Sequence, residues 1–425
     1  MTSGKPLAVP LTSAGEPRVL AKKRPKRLTA KTFAHLLVCS IIHRKLKEIR
    51  KILERYRQID FTERKVALAT VVRVEGSSYR RAGAKMLISD DGRWEGAISG
   101  GCLEGDALRK ARQVMLNGRP MVVTYDTMDD DANSLGVGLG CNGIIDVFIE
   151  PIAPENPQNG THSIDLWQTD VTHRRAFVEA KIIRAPDGYN GPLRWRLLEE
   201  SIDGQLFTLQ LFADMRQAEA TGKPALNSYA AESGEVQVFI EPVRPEIELV
   251  VFGGGYDVPP LVQMAKTLGW HVTVTEDCVA HVAPKRFPGA DEVRLMNRHR
   301  ILEETTVSPR TAAVLMSHGY KYDKAVLEQL LHTEAGYVGM LGPRKRFEKM
   351  LAEWESEGKT FDETRLAAVH SPIGLDIGAE PPDEIALAIL SEIQARFTDR
   401  PGTSLHLKQG PIHERNEEVG LPNAE

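Results

Sequence analysis

The residues best placed to do chemistry sit on glycine-rich turns. The first is A-I-S-G-G-C-L-E-G, residues 97–105, which puts Cys102 directly after Gly100 and Gly101, with Glu104 and Asp106 just downstream. A glycine pair lets the backbone take positive φ and approach a bound molecule closely. A thiolate is both a nucleophile and a soft metal ligand. A second turn, G-V-G-L-G-C-N-G at 136–143, sets Cys141 after Gly140 and follows the acidic run Y-D-T-M-D-D-D at 125–131. If both turns lie on one edge of a sheet, two thiols and the carboxylates of Asp126, Asp129, Asp130 and Asp131 surround one cavity. The plainer readings are a cysteine that packs as a small hydrophobe and an acidic loop that is simply solvated.

A third turn, Gly253-Gly254-Gly255, follows the apolar run Glu248 to Phe252 and precedes a helical pattern reaching Leu268. A further strand, Val272 to Thr275, ends at Glu276. Strand, glycines, helix, strand and acid is the order of a dinucleotide fingerprint, in which the turn cradles pyrophosphate and the acid holds ribose. Gly253, Gly255 and Glu276 are therefore candidate NAD(P)-binding residues. Two features depart from that pattern: Val258 replaces the third glycine, and Pro259-Pro260 opens the helix. Two later strands, Ala312 to Ser317 and Tyr337 to Leu341, end in S-H-G-Y and G-P-R-K-R. In a doubly wound sheet ligands bind at such carboxyl ends, so His318 is a candidate polar or acid/base group and Arg344 a candidate phosphate contact. A helix-capping histidine and a basic helix entry are the alternatives.

The elements that must position these groups follow from periodicity. Lys31 to Ile59 reads as an amphipathic helix. Lys65–Val74, Ala84–Ser89 and Trp94–Ser99 read as strands leading into the first turn. Leu103–Asn117 then reads as a helix whose first amides point at Cys102's neighbourhood, an arrangement that favours anions. Met121–Tyr125 and Gly143–Glu150 flank the second turn as strands, and Pro382–Arg396 is a last amphipathic helix. Residues 160–242 echo the unit before them: V-F-I-E-P recurs at 147–151 and 238–242, and N-G-R-P at 117–120 is echoed by T-G-K-P at 221–224. The echo carries neither glycine-cysteine turn. The expected organisation is a basic tail over 1–30, an α+β domain over 31–244 with a degenerate internal repeat (41–151 and 160–242), a Rossmann-like parallel sheet over 245–397, and a tail over 398–425.

Composition bounds the partners. The chain has 425 residues, 42% hydrophobic and 26% charged, with a net charge of −4, which gives no general attraction to nucleic acid. Its four cysteines form no C-x-x-C pair, which argues against a zinc ribbon or disulfide scaffold and for a reducing, cytoplasmic setting. No apolar run approaches 18 residues, so no membrane span is expected.

The chain resembles the XdhC/CoxI family of accessory proteins for molybdenum hydroxylases such as xanthine dehydrogenase. The matching stretches are G-S-S-Y-R-R-A-G-A-K-M (76–86), S-G-G-C-L-E-G (99–105), Y-D-T-M-D-D-D (125–131), G-L-G-C-N-G (138–143), F-G-G-G-Y-D (252–257), S-H-G-Y (317–320), L-G-P-R-K-R (341–346) and P-I-G-L-D-I-G-A (372–379). Asn142 and the Gly254-Gly255-Tyr256 triplet depart from the family's commoner residues. The resemblance implies a carrier rather than a turnover enzyme, one that binds molybdenum cofactor (molybdopterin), shelters it during sulfuration and delivers it to an apo hydroxylase of the xanthine dehydrogenase type. It also implies a cysteine desulfurase as sulfur donor and a homodimer. On that view Cys102 contacts molybdenum or its sulfur, and Gly100, Gly101, Glu104, Gly140 and Cys141 line the site. Arg80, Arg81 and Lys85 neutralise the pterin phosphate. An NAD(P)-dependent oxidoreductase using the Rossmann-like half is the alternative.

Overall fold

The structure, a computed structural model, describes residues 45–76, 78–126, 143–152, 163–189, 193–197 and 206–409. Three sheets account for its strands. The first is antiparallel, with β1 (Val66–Gly76), β2 (Lys85–Ser89), β3 (Trp94–Gly96), β4 (Met121–Asp126) and β5 (Gly143–Ile152) in the order β3-β2-β1-β5-β4. The second holds β6 (Phe177–Arg184), β7 (Arg194–Arg196), β8 (Ala225–Ala231) and β9 (Gly234–Val243) in the order β7-β6-β9-β8. That order matches β2-β1-β5-β4, and each long central pair breaks register at the equivalent place, Val71/Arg73 and Ile182/Arg184.

Side-chain alternation divides each sheet into two faces. In the first, Ala67, Ala69, Val71, Met86, Ile88, Val147 and Ile149 meet helix α2 (Glu104–Asn117). The opposite face, through Val66, Leu68 and Leu87, meets α1 (Lys45–Tyr56) and α3 (Ser163–Thr172). The second sheet buries Val178, Ala180, Val238 and Ile240 under α4 (Leu206–Thr221). The two sheets meet at Val72, Phe148, Ile183 and Phe239.

The same seam holds crossed ion pairs. Lys85 of the first sheet lies 2.5 Å from Glu241 of the second, both 2% exposed. Lys181 of the second lies 3.2 Å from Glu150 of the first, and Arg194 also reaches Glu150. Trp167 donates to Glu179 beside them, and the Lys85 ammonium sits over the Trp167 ring. Lys85 is thus a structural cation, not the phosphate neutraliser its neighbourhood suggests, because Glu241 and the Gly83 carbonyl take its ammonium.

The third sheet is parallel, with β10 (Glu248–Phe252), β11 (His271–Glu276), β12 (Glu292–Leu295), β13 (Thr311–Leu315), β14 (Tyr337–Met340) and β15 (Val369–His370) in the order β12-β11-β10-β13-β14-β15. The chain runs outward from β10 through β11, then crosses to β13 on the other side, so the switch point lies between β10 and β13. Both faces are covered. Leu249 and Val251 pack with α5 (Val258–Leu268), and Val250 and Phe252 pack with α6 (Tyr320–Leu330) and α7 (Arg344–Ser356). Helix α8 (Pro382–Phe397) joins α5 on the first face through Ala386, Ile389 and Ile393.

Several elements depart from expectation in detail. The first helix ends at Tyr56 rather than Ile59, its expected part over 31–44 lying outside the described residues, and β3 stops at Gly96 rather than Ser99 because the chain there turns to build the glycine loop. Among the described residues no helix is long and apolar enough to cross a membrane.

Candidate functional site

Cys102 lies on the connection between β3 and α2, with its side chain exposed. Ser99 organises this turn. Its hydroxyl oxygen accepts from the amides of Gly101, Cys102 and Leu103 at 3.1–3.2 Å, and its hydroxyl donates to Glu104. The other Glu104 oxygen accepts from the amides of Ile98 and Ser99 at 3.2 and 2.8 Å. Gly101 takes φ +110°, a conformation that disfavours any side chain, and a Cβ there would meet nothing within 4 Å. The thiol therefore stands on a locally braced loop beside open space.

This geometry revises two expectations. The amides of 101–103 are directed inward onto Ser99 rather than outward to a ligand anion. Glu104, 6% exposed, has its carboxylate tied to the turn and acts by holding it. Burial pushes the Glu104 carboxyl up, but hydrogen bonds from Ser99 and Ile98 outweigh burial and its pKa lies below the ordinary glutamate value. A depressed folded-state pKa contributes stability that is present above the unfolded value and is lost as pH falls through the folded one. Wild type should therefore melt above Glu104→Gln at pH 6, with the gap closing below about pH 4. A gap that stays constant down to pH 3 would show that the carboxylate does not brace the turn.

The 78–83 loop borders the same turn, because a Cβ on Gly100 would lie 3.4 Å from the Tyr79 ring. Arg80 is held by the Glu48 carboxylate on α1. Arg81 is half-buried and its guanidinium has no hydrogen-bond or ion-pair partner among the described residues. Burial draws its pKa down from the ordinary arginine value, yet a guanidinium stays charged at neutral pH. Of the cations expected to meet the pterin phosphate, Arg81 alone has no partner among the described residues.

Cys141 and Gly140 lie outside the described residues, as do Asp129, Asp130 and Asp131. Their flanking strands are placed: Gly143 pairs with Gly76, where the 78–83 loop begins, and Asp126 pairs with Ile144. Asp106 is buried and accepts from Tyr125 and Arg109, tying α2 to β4. Burial and the Asp106 charge both push the Tyr125 phenol up. Among the described residues no three His, Cys, Asp or Glu side chains gather as a metal cage.

The second group of candidates lies at the switch point. Gly253 takes φ +144°, and a Cβ would lie 2.4 Å from the Met316 backbone, so only glycine fits where β10 passes β13. His318 follows β13 at φ +59°, left-handed backbone that is uncommon outside glycine. Its Nε2 lies 2.9 Å from Asp257 Oδ2. Glu276 accepts from the Gly254 amide at 3.0 Å and meets His281 Nδ1 at 2.8 Å. Arg344 is exposed at the start of α7, beyond β14 and so one strand removed from the switch point. Neighbouring Arg346, which is not among the candidates the sequence suggests, pairs with buried Asp323, which also accepts from Ser317.

These residues do not fit a dinucleotide pyrophosphate. Pro259 and Pro260 occupy the second and third positions of α5 and have no N–H, and the Val258 amide turns back to the Gly255 carbonyl. Glu276 holds the Gly254 amide through one of its two oxygens, and buried Asp257 sits at the helix start. Helix donors that would bind an anion are missing, and negative charge stands in their place.

The family described as "XdhC and CoxI family" matches residues 62–126, and that described as "XdhC Rossmann domain" matches residues 249–393. A Bacillus subtilis protein described as a probable xanthine dehydrogenase subunit is 30% identical over 331 residues, covering 78% of this chain and 93% of the relative. The molybdenum cofactor insertion chaperone PaoD of Escherichia coli is 20% identical over 326 residues, covering 77% of this chain and 81% of its own. A crystal structure described as a xanthine dehydrogenase from Bacillus halodurans superposes with a TM-score of 0.64 at 27% identity, covering 83% of this chain and 96% of that one.

Proposed function

We propose, from the premise that this chain belongs to the XdhC and CoxI family of accessory proteins, that it binds molybdenum cofactor, shelters it during sulfuration and passes it to a hydroxylase of the xanthine dehydrogenase type. The observation that carries this reading is the exposed Cys102 thiol on a braced glycine turn with open space beside Gly101. The residues fit the group: a soft thiolate suits molybdenum or its sulfur, and Arg81 supplies a cation for the pterin phosphate. When bound, the cofactor supplies the metal–sulfur chemistry that the client hydroxylase later uses.

The chain's own residues do the holding. Ser99 and Glu104 fix the backbone so that the Cys102 side chain is presented outward. Tyr79 rests on Gly100 and closes one side of the turn. Cys141, two residues ahead of Gly143, is proposed as the second thiol of the same site. An apo hydroxylase, a sulfur-donating cysteine desulfurase and a second copy of the chain are the proposed partners.

Uptake of molybdenum-pterin by the purified full-length protein tests the reading, followed by metal analysis and pterin fluorescence. Cys102→Ala should lower uptake and client maturation by about 10-fold or more, equivalent to ~1.4 kcal/mol of binding. An exposed side chain carries little stability, so the melt should move by no more than about 0.5 kcal/mol. Equal uptake by wild type and Cys102→Ala would defeat the proposal.

A further inference from the structure

The crevice between β10 and β13 is built around carboxylate–imidazole pairs, and it lies apart in the fold from the Cys102 turn. Asp257 is 5% exposed at its side chain while His318 is 58% exposed, so a buried acid holds an imidazole that faces solvent. Asp257 Oδ1 is buried without a hydrogen-bond partner, and a Cβ on Gly255 would lie 2.5 Å from it. An orphaned buried carboxylate oxygen costs stability, as does the left-handed backbone at His318. Strain of this kind clusters at functional sites, and here two such costs fall at one switch point.

The charge of the crevice selects its ligand. A diphosphate would meet the Asp257 and Glu276 carboxylates, and the proline pair leaves no helix amides to compensate. Ribose hydroxyls, in contrast, are donors. Glu276 stands at the carboxyl end of β11, where an acid takes ribose in this class of sheet. Only one of its oxygens is engaged, by Gly254 and His281, and the other has no partner among the described residues.

We propose that this crevice binds a phosphate-free nucleoside, with its ribose hydroxyls on Glu276 and its 5′ end toward the Asp257–His318 pair. The space beside each glycine of the turn is taken by the protein itself, by Met316 at Gly253, His281 at Gly254 and Asp257 at Gly255, and the groups around it exclude the pyrophosphate. This site is separate from cofactor carriage at Cys102.

Calorimetric titration of the full-length protein with adenosine, guanosine, cytidine and uridine, each beside its 5′-diphosphate and with NAD+ in parallel, tests the proposal. One nucleoside should bind, with its diphosphate at least about 10-fold weaker, since like-charge juxtaposition costs several kcal/mol. NAD+ should give no heat. Glu276→Gln still accepts the Gly254 amide and should weaken the nucleoside by about 10–100-fold, the loss of one charge-assisted hydrogen bond. Asp257→Asn should narrow the discrimination against diphosphate. Binding of NAD+ or a diphosphate as tightly as the nucleoside overturns the proposal. So does the absence of binding by all four nucleosides, or unchanged nucleoside affinity in Glu276→Gln.

Discussion

Ser99→Ala should destabilise the protein by about 2–4 kcal/mol and cut cofactor uptake by about 10–100-fold, although Cys102 remains in place. The hydroxyl accepts three successive amides and donates to a buried carboxylate, so one deletion leaves four groups short of a partner. A buried donor without a partner costs about 1–3 kcal/mol, and partial relaxation toward solvent explains why the four losses do not simply add. The functional loss has a separate cause: a thiol displaced by about 1 Å from its working position can lose about 10²-fold. Urea unfolding reads the first effect and pterin fluorescence the second. Ser99→Thr retains the hydroxyl and should restore uptake. If Ser99→Ala takes up cofactor as wild type does, the turn geometry is not what presents the thiol.

The second large effect lies at the seam between the two antiparallel sheets. Lys85→Met should cost about 3–5 kcal/mol, because it removes the ammonium that pairs with the Glu241 carboxylate at 2% exposure. Lys181→Met should cost less, because Arg194 still reaches Glu150. Lys85→Met with Glu241→Leu should recover most of the single-mutant loss, since replacing both members of a buried pair by apolar residues is often neutral or stabilising. Urea midpoints at unchanged slope would separate these cases. A double variant no more stable than Lys85→Met would mean that packing against Trp167, rather than charge, sets the cost.

Much of the fold is legible in the sequence because its strands are buried on both faces and bounded by glycines. The expected strand Glu248–Phe252 and the helix ending at Leu268 coincide with β10 and α5. Where pattern fails, burial explains the failure. β12, Glu292–Leu295, contains no buried residue, and β15 has two residues, too few for a period. The candidate site can be read from the sequence in its residue types but not in its wiring. The sequence locates Cys102, Gly101 and His318, yet cannot show that Ser99 takes the amides expected to face a ligand, since that depends on where one hydroxyl points. Nor can it show that Lys85 is an interior cation, because its partner Glu241 stands 156 residues away. Asp257 is hidden in F-G-G-G-Y-D for the same reason, since His318 lies 61 residues on. The Pro259-Pro260 pair is the exception, a plain sign in the sequence that the helix start would lack donors.

Helix α1 has a consequence for the order of synthesis. It leaves the ribosome before every sheet it supports, and Glu246, the partner of its Arg50, lies 196 residues later. The carbonyl of Thr267 that accepts from Lys47 lies 220 residues later. Translation at about 5–20 residues/s leaves the first of these contacts unmade for roughly 10–40 s. Trp167 and Phe177, which help complete the core under Leu46, Ile49, Ile52 and Leu53, emerge partway through that interval, and Val243 emerges only at its end. The nascent chain therefore carries an amphipathic helix that its first sheet covers only in part, and only emergence of the parallel sheet's first strands completes the N-terminal half.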